Sequence, residues 1–148
     1  MNHIGIDIGK SGAAVLMNER AEIVDIVRFK NMTMHDLSEV FSEWFEMSGG
    51  DVVAIVEQVH AMPKQGVRSM FEFGRSLGKI EGLLVANKVA FKYVSPPKWQ
   101  QAMKCRSKGD KNITKAAAQR LYPNVKITHD IADAILIARY SVENWTTA

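Results

Sequence analysis

The sequence predicts an α/β fold, one mixed five-stranded sheet with helices on both faces. The first three strands should be antiparallel, with the fourth and fifth parallel to the first. Three observations carry this expectation. Residues 2–29 hold three apolar runs joined by turns short enough for hairpins. Two later apolar runs, 51–57 and 89–94, are separated by segments of helical periodicity. The run at 51–57 is apolar on both faces, as in a strand buried in a parallel pair. The order β-β-β-α-β-α-β-α-α then calls for a sheet covered on both sides.

The elements follow in order. Residues 2–9 form the first strand, Gly9 to Gly12 a tight turn, Ala13 to Met17 the second strand. Glu22 to Phe29 alternates Ile23, Asp25, Val27 and Phe29 against Val24, Ile26 and Arg28, which suits a third strand. Thr33 can cap a helix whose apolar face is Leu37, Val40, Phe41, Trp44 and Phe45, and Ser48-Gly49-Gly50 stops it. After the fourth strand, residues 58–66 carry Pro63 and Gly66 and read as a loop. A helix from Val67 to Asn87 carries Gly74, Gly78 and Gly82 on one face. Each glycine costs about 1 kcal/mol of helix propensity, so the stripe makes sense where another backbone comes close. Pro96-Pro97 should end the fifth strand, with a helical turn at Lys98 to Met103. Residues 104–112 form a basic, flexible-looking segment. Ile113 to Leu121 is a helix stopped by Pro123, and Asp130 to Asn144 is the last helix.

The 148 residues are one domain by size, spanning 1–148, and 47% hydrophobic with 24% charged residues is ordinary for a globular protein. No stretch approaches ~18 uncharged apolar residues, so no membrane helix is expected. The N-terminus has no signal-type pattern. Cys105 is alone, which excludes an internal disulfide and an all-cysteine zinc site, and a reducing, cytoplasmic setting is expected. Charge is unevenly spread. Residues 1–57 carry 4 basic and 10 acidic side chains, whereas residues 58–126 carry 14 and 3. A basic middle suits a polyanion-binding face around a carboxylate site; a lysine-rich solvated surface is the plainer alternative.

Four carboxylates stand where ordered elements should hold them. Asp7 lies in Ile4-Gly5-Ile6-Asp7-Ile8-Gly9, and Glu57 ends the apolar run from Val52. Asp130 and Asp133 are three apart in His129-Asp130-Ile131-Ala132-Asp133-Ala134, so they share a helix face near its N-terminus. A charge at the end of an apolar strand is costly without compensation. Hard oxygen donors without a cysteine cluster point to Mg²⁺, with Mn²⁺ as a substitute, rather than zinc. Two ions ~3.5–4 Å apart would clamp a phosphodiester and make the cluster a nuclease centre. Taken singly, Asp7 could be a solvated residue near a turn and Asp130 a helix N-cap.

These motifs resemble a known family. I-D-I-G around Asp7, V-E-Q-V around Glu57 and H-D-I-A-D-A-I around Asp130 and Asp133 are similar to the RuvC-type Holliday junction resolvases, phage members included. These belong to the RNase H-like nuclease superfamily, and the resemblance spans nearly the whole chain. It implies an RNase H-like fold and a homodimer that binds a four-way DNA junction. It implies paired Mg²⁺-dependent nicks leaving 5′-phosphate and 3′-hydroxyl ends. Asp7, Glu57, Asp130 and Asp133 would be the metal ligands, in a bacterial or phage-infected cell. Many members carry an aromatic after the catalytic Glu strand, where this chain has His60 and then Met62. That departure suggests broader action on flaps, forks and replication branches.

His129 could orient a ligand or water, or be a surface histidine at a helix start. His60 and Lys64 precede the glycine helix, and Arg68, Arg75 and Lys79 line one face of it. Lys104, Arg106, Lys108, Lys111 and Lys115 follow in a second basic segment. All are candidate DNA contacts, giving affinity rather than sequence reading. By resemblance, Lys108 and Lys111 are the candidates to bind the scissile phosphate. The glycines either seat their helix on the chain's own sheet or let two copies cross in a dimer. Trp99 should pack under Pro96-Pro97 rather than stack on a base. The alternatives are a ribonuclease for RNA–DNA hybrids, a non-catalytic junction-binding protein, and a sugar-kinase or actin-like phosphate-binding module. The last is suggested by Asp7-Ile8-Gly9-Lys10-Ser11-Gly12, although 148 residues supply only one of its two domains.

Overall fold

The computed structural model describes residues 1–60 and 64–148, so Met62 and Pro63 lie outside the described residues. Its strands are β1 (Asn2–Asp7), β2 (Ala13–Met17), β3 (Ile23–Arg28), β4 (Val52–Glu57) and β5 (Ala90–Val94). Its helices are α1 (Met34–Met47), α2 (Val67–Ala86), α3 (Pro96–Ala102), α4 (Lys111–Leu121) and α5 (His129–Asn144). The sheet order is β3-β2-β1-β4-β5. β1 pairs antiparallel with β2 and parallel with β4; β2–β3 is antiparallel and β4–β5 parallel. The expected mixed sheet is therefore present strand for strand.

Side-chain alternation divides the core in two. Ile4, Ile6, Leu16, Ala54 and Val56 pack with α1 and α2 on one side of the sheet. Ala13, Val15, Ile55, Val94 and Trp99 pack with α4 and α5 on the other. Gly5 sets how close α5 comes. A Cβ added there would lie 2.2 Å from the Ala138 amide nitrogen and 2.4 Å from the Ala134 carbonyl oxygen. Small residues on both elements thus let helix backbone rest on strand backbone. Gly12 plays the same role for the β1–β2 turn, since its Cβ would lie 2.2 Å from the Asp7 carbonyl oxygen. Thr33 caps α1 as expected, in a reciprocal capping box with Asp36.

Several local expectations need correction. Pro96-Pro97 does not merely end β5; the pair opens α3, where proline's fixed φ and missing N–H suit the first turn. Helix α4 begins earlier, at Lys111, because the Asp110 carboxylate caps it by accepting from the Asn112 amide. Thr128, not Asp130, stands at the N-cap position of α5. The basic segment is anchored rather than loose. Cys105 and Ser107 are buried, and the Gln100 side chain accepts from the Ser107 amide at 3.3 Å. Gly74, Gly78 and Gly82 seat against none of the described residues, since a Cβ at each would meet open space.

Candidate active site

The site is built where parallel strands end. β1 and β4 run side by side in register, with Ile6 opposite Val56, so Asp7 and Glu57 emerge at the same edge. Both belong to the α5-facing parity of the sheet. Asp133 sits one turn into α5, and Gly5 brings that helix down onto β1. Three carboxylates from three elements are thereby placed within each other's electrostatic reach.

Their proton affinities record the crowding. Burial pushes the Asp7 carboxyl well above the usual carboxylate range, and the charges of Glu57 and Asp133 push it further. Burial raises Glu57 from 4.5 to about 7, with Asp133 adding and the Trp99 indole opposing. Burial also raises Asp133, against the Thr114 hydroxyl and the charges of Lys111 and His129. Lys111 is a cation that favours the charged form of all three.

Asp130 is held apart from this cluster. Its Oδ2 accepts from Arg28 Nε at 2.8 Å, and its Oδ1 takes the Thr128 hydroxyl. Burial pushes its proton affinity up, but Thr128 and Arg28 outweigh it, and the carboxyl stays below its usual range. A shared helix face did not bring the two α5 acids to one place, because β3 supplies a guanidinium to one of them.

Trp99 does more than pack. Fully buried, it donates its indole N–H to Glu57 Oε2 at 2.7 Å, which excludes base stacking and fixes the carboxylate's direction. Sequence reading missed this role, because a tryptophan after two prolines signals packing and nothing about its N–H.

Beside Asp133 lies a recess of about 310 Å³ lined by Pro96, Gln100, Arg106, Lys108, Lys111 and Asp133. It gathers three cations, Arg106, Lys108 and Lys111, beside the Asp133 carboxylate. Lys104 is exposed beyond it, and Lys115 is half-buried on α4. His129 is exposed at the start of α5, and its charge reaches Asp133. His60 and Lys64 are exposed on either side of the undescribed residues. Arg68, Arg75 and Lys79 are exposed along α2.

Among the described residues, no three His, Cys, Asp or Glu side chains stand so as to hold a metal ion. The donor chemistry of the cluster nonetheless fits one. Asp133 Oδ1 is buried without a hydrogen-bond partner among the described residues, and an orphaned carboxylate oxygen is costly unless a cation or donor reaches it. Three hard oxygen donors whose ionised forms burial opposes are what a divalent cation stabilises.

No protein-family model matches the sequence, and no curated protein matches it. Solved structures do match its fold. RuvC of Thermus thermophilus in complex with a Holliday junction substrate superposes with a TM-score of 0.71 at 15% identity, covering 100% of this chain and 98% of that one. A second Thermus thermophilus RuvC structure gives 0.67 at 14% identity, with 97% and 96% covered. Identity this low speaks for architecture alone, and the architecture agrees from end to end: this chain has the RuvC-type, RNase H-like fold.

Proposed function

We propose that this protein is a divalent-cation-dependent endonuclease that cuts branched DNA, with the four-way junction as its main substrate. The observation that carries the reading is the meeting of Asp7, Glu57 and Asp133 at the strand ends, beside a recess lined by Arg106, Lys108 and Lys111. Acids held this way have no structural use and cost stability, whereas a cation centre next to a phosphate-binding recess uses both. The match to a RuvC bound to its junction supports the choice of substrate.

Asp7, Glu57 and Asp133 would hold Mg²⁺ or Mn²⁺, two ions per site, with Asp130 as a fourth ligand once its pairing with Arg28 is exchanged for a cation. Bound ions would supply an activated water and neutralise charge on the cleaved phosphodiester. The chain's own groups do the rest. Trp99 keeps Glu57 directed at the site. Lys111 favours ionisation of all three acids before cations arrive. Lys108 and Arg106 in the recess grip the phosphate, and His129 at the rim biases Asp133 toward its charged form. Lys64, Arg75, Lys104, Lys115 and His60 bind the arms, and Arg68 and Lys79 bind DNA near the branch point.

A homodimer completes the proposal. On α2, Val67 is 87% exposed, Phe71 69% and Val85 66%, on the side that carries the open glycines. An apolar, glycine-lined helix face is suited to close crossing with a second copy, and a two-fold dimer presents two sites to a junction of matching symmetry. No described helix is long and apolar enough to cross a membrane.

The test is cleavage of labelled four-way junctions, forks, RNA–DNA hybrids and linear duplexes, with Mg²⁺ and with a chelator. Cation-dependent nicking that favours the junction supports the proposal. Preferential cutting of the hybrid would favour the ribonuclease reading, and binding without any cutting would favour a non-catalytic junction binder.

A further inference from the structure

A second groove lies on the opposite side of the sheet from the acids. It is about 900 Å³, within the range of about 300–1,000 Å³ typical of ligand pockets. It is framed by the turn after β1, the β3–α1 connection and the N-terminal half of α2. Four cations line it, Lys10, Lys30, Arg68 and Lys79, against one carboxylate, Glu72. None of the four forms an ion pair among the described residues, and all are exposed. The floor is apolar: Phe29, Met32 and Phe73 are only partly buried, packed on the core beneath. Ile8 and Gly9, which follow Asp7 directly, form one wall. The groove therefore reaches the strand end from which Asp7 projects to the other side.

Duplex DNA would use the cations and waste the floor, because its bases are stacked inside the helix. A single strand would use both. Its phosphates need separated cations, and its unstacked base needs an apolar or aromatic platform. We infer that this groove binds an unpaired segment of DNA, holding phosphates on Lys10, Lys30, Arg68 and Lys79 and laying a base on the Phe29–Met32–Phe73 floor. The inference rests on the branched-DNA reading and extends it: a strand freed at the branch point passes from the acid site, over the end of β1, into the groove. Lys10 and Lys30 are added to the DNA-binding surface, although both lie in the acidic part of the sequence.

The test is fluorescence anisotropy of labelled oligothymidylate with the full chain in chelator, so that no cutting occurs. Three competitors are added: an abasic oligomer of equal length, a blunt duplex, and polyglutamate. The expected result is that the abasic oligomer competes at least about ten-fold more weakly than oligothymidylate, because it offers the phosphates without the bases. Replacing both exposed lysines, Lys10→Ala with Lys30→Ala, should weaken oligothymidylate binding about ten-fold. It should also reduce the slope of log affinity against log salt by about 1.4, the loss of two single-strand phosphate contacts. Equal competition by the abasic oligomer, or unchanged binding by the lysine variant, would overturn the inference. Displacement by polyglutamate as effective as by oligothymidylate would mark a peptide site and overturn it too. Junction cleavage is scored separately with Mg²⁺, so loss of either activity leaves the other readable.

Discussion

Replacing Glu57 by Gln should stabilise the folded protein while disabling it. Burial raises the Glu57 carboxyl from 4.5 to about 7, so ionising it in the native state carries a cost. That interval corresponds to about 3 kcal/mol, and the side chain's partial exposure brings the useful figure to about 2 kcal/mol. The sign follows from the direction of the shift. Below the unfolded value of 4.5 the carboxyl is neutral in both states, and Glu resembles Gln. Between 4.5 and about 7 the unfolded chain releases the proton while the native state keeps it, and native stability falls as pH rises. Above 7 the loss is complete. Gln avoids it, and its carbonyl can still accept from the Trp99 indole. For a domain of this size about 2 kcal/mol is roughly 5–8 °C in Tm. The assay is thermal unfolding in chelator across this pH range. The Tm advantage of Glu57→Gln should be near zero at the acid end and reach that figure near pH 8. Added Mg²⁺ should shrink the gap by binding the native wild type. A Tm difference that does not vary with pH, or a variant less stable near pH 8, would refute the reasoning.

Two further predictions probe the architecture. Gly5→Ala puts a methyl into α5 backbone at 2.2–2.6 Å, so relief requires moving the helix that carries Asp133. We expect a loss of at least about 3 kcal/mol in chemical denaturation, and a variant within about 1 kcal/mol of wild type would contradict the packing. Phe71→Asp places a charge on the exposed α2 face; sedimentation should show a dimer become a folded monomer, whereas an unchanged dimer would exclude this face.

The fold was legible because its signals are local. Alternation in Ile23–Arg28, the unbroken Val52–Val56 run and the Thr33 cap each specify an element without help from distant residues. Two of the site's acids were legible for the same reason, since Asp7 and Glu57 interrupt apolar strands where a charge needs a purpose. Helical spacing could not separate Asp133 from Asp130. The difference comes from Arg28, 102 residues away along the chain and adjacent only once β3 and α5 are packed. The Trp99–Glu57 bond, between residues 42 apart, left no trace in the pattern for the same reason. The glycines of α2 were read as an invitation to close approach, and among the described residues of this chain nothing approaches them. Lys10 and Lys30 were obscured by counting charge along the sequence, where acidic neighbours outnumber them. Folding carries those neighbours elsewhere and leaves the lysines on one groove.

The most direct measurement is single-turnover nicking of a labelled four-way junction near pH 8 with Mg²⁺, set beside junction affinity measured in chelator, for wild type, Asp7→Asn and Asp133→Asn. The expected result is at least a hundred-fold loss of nicking, roughly the scale of removing one group that stabilises a transition state, with affinity nearly unchanged in both variants. Nicking by either variant at the wild-type rate, or wild-type nicking that survives the chelator, would contradict a cation centre built from these acids.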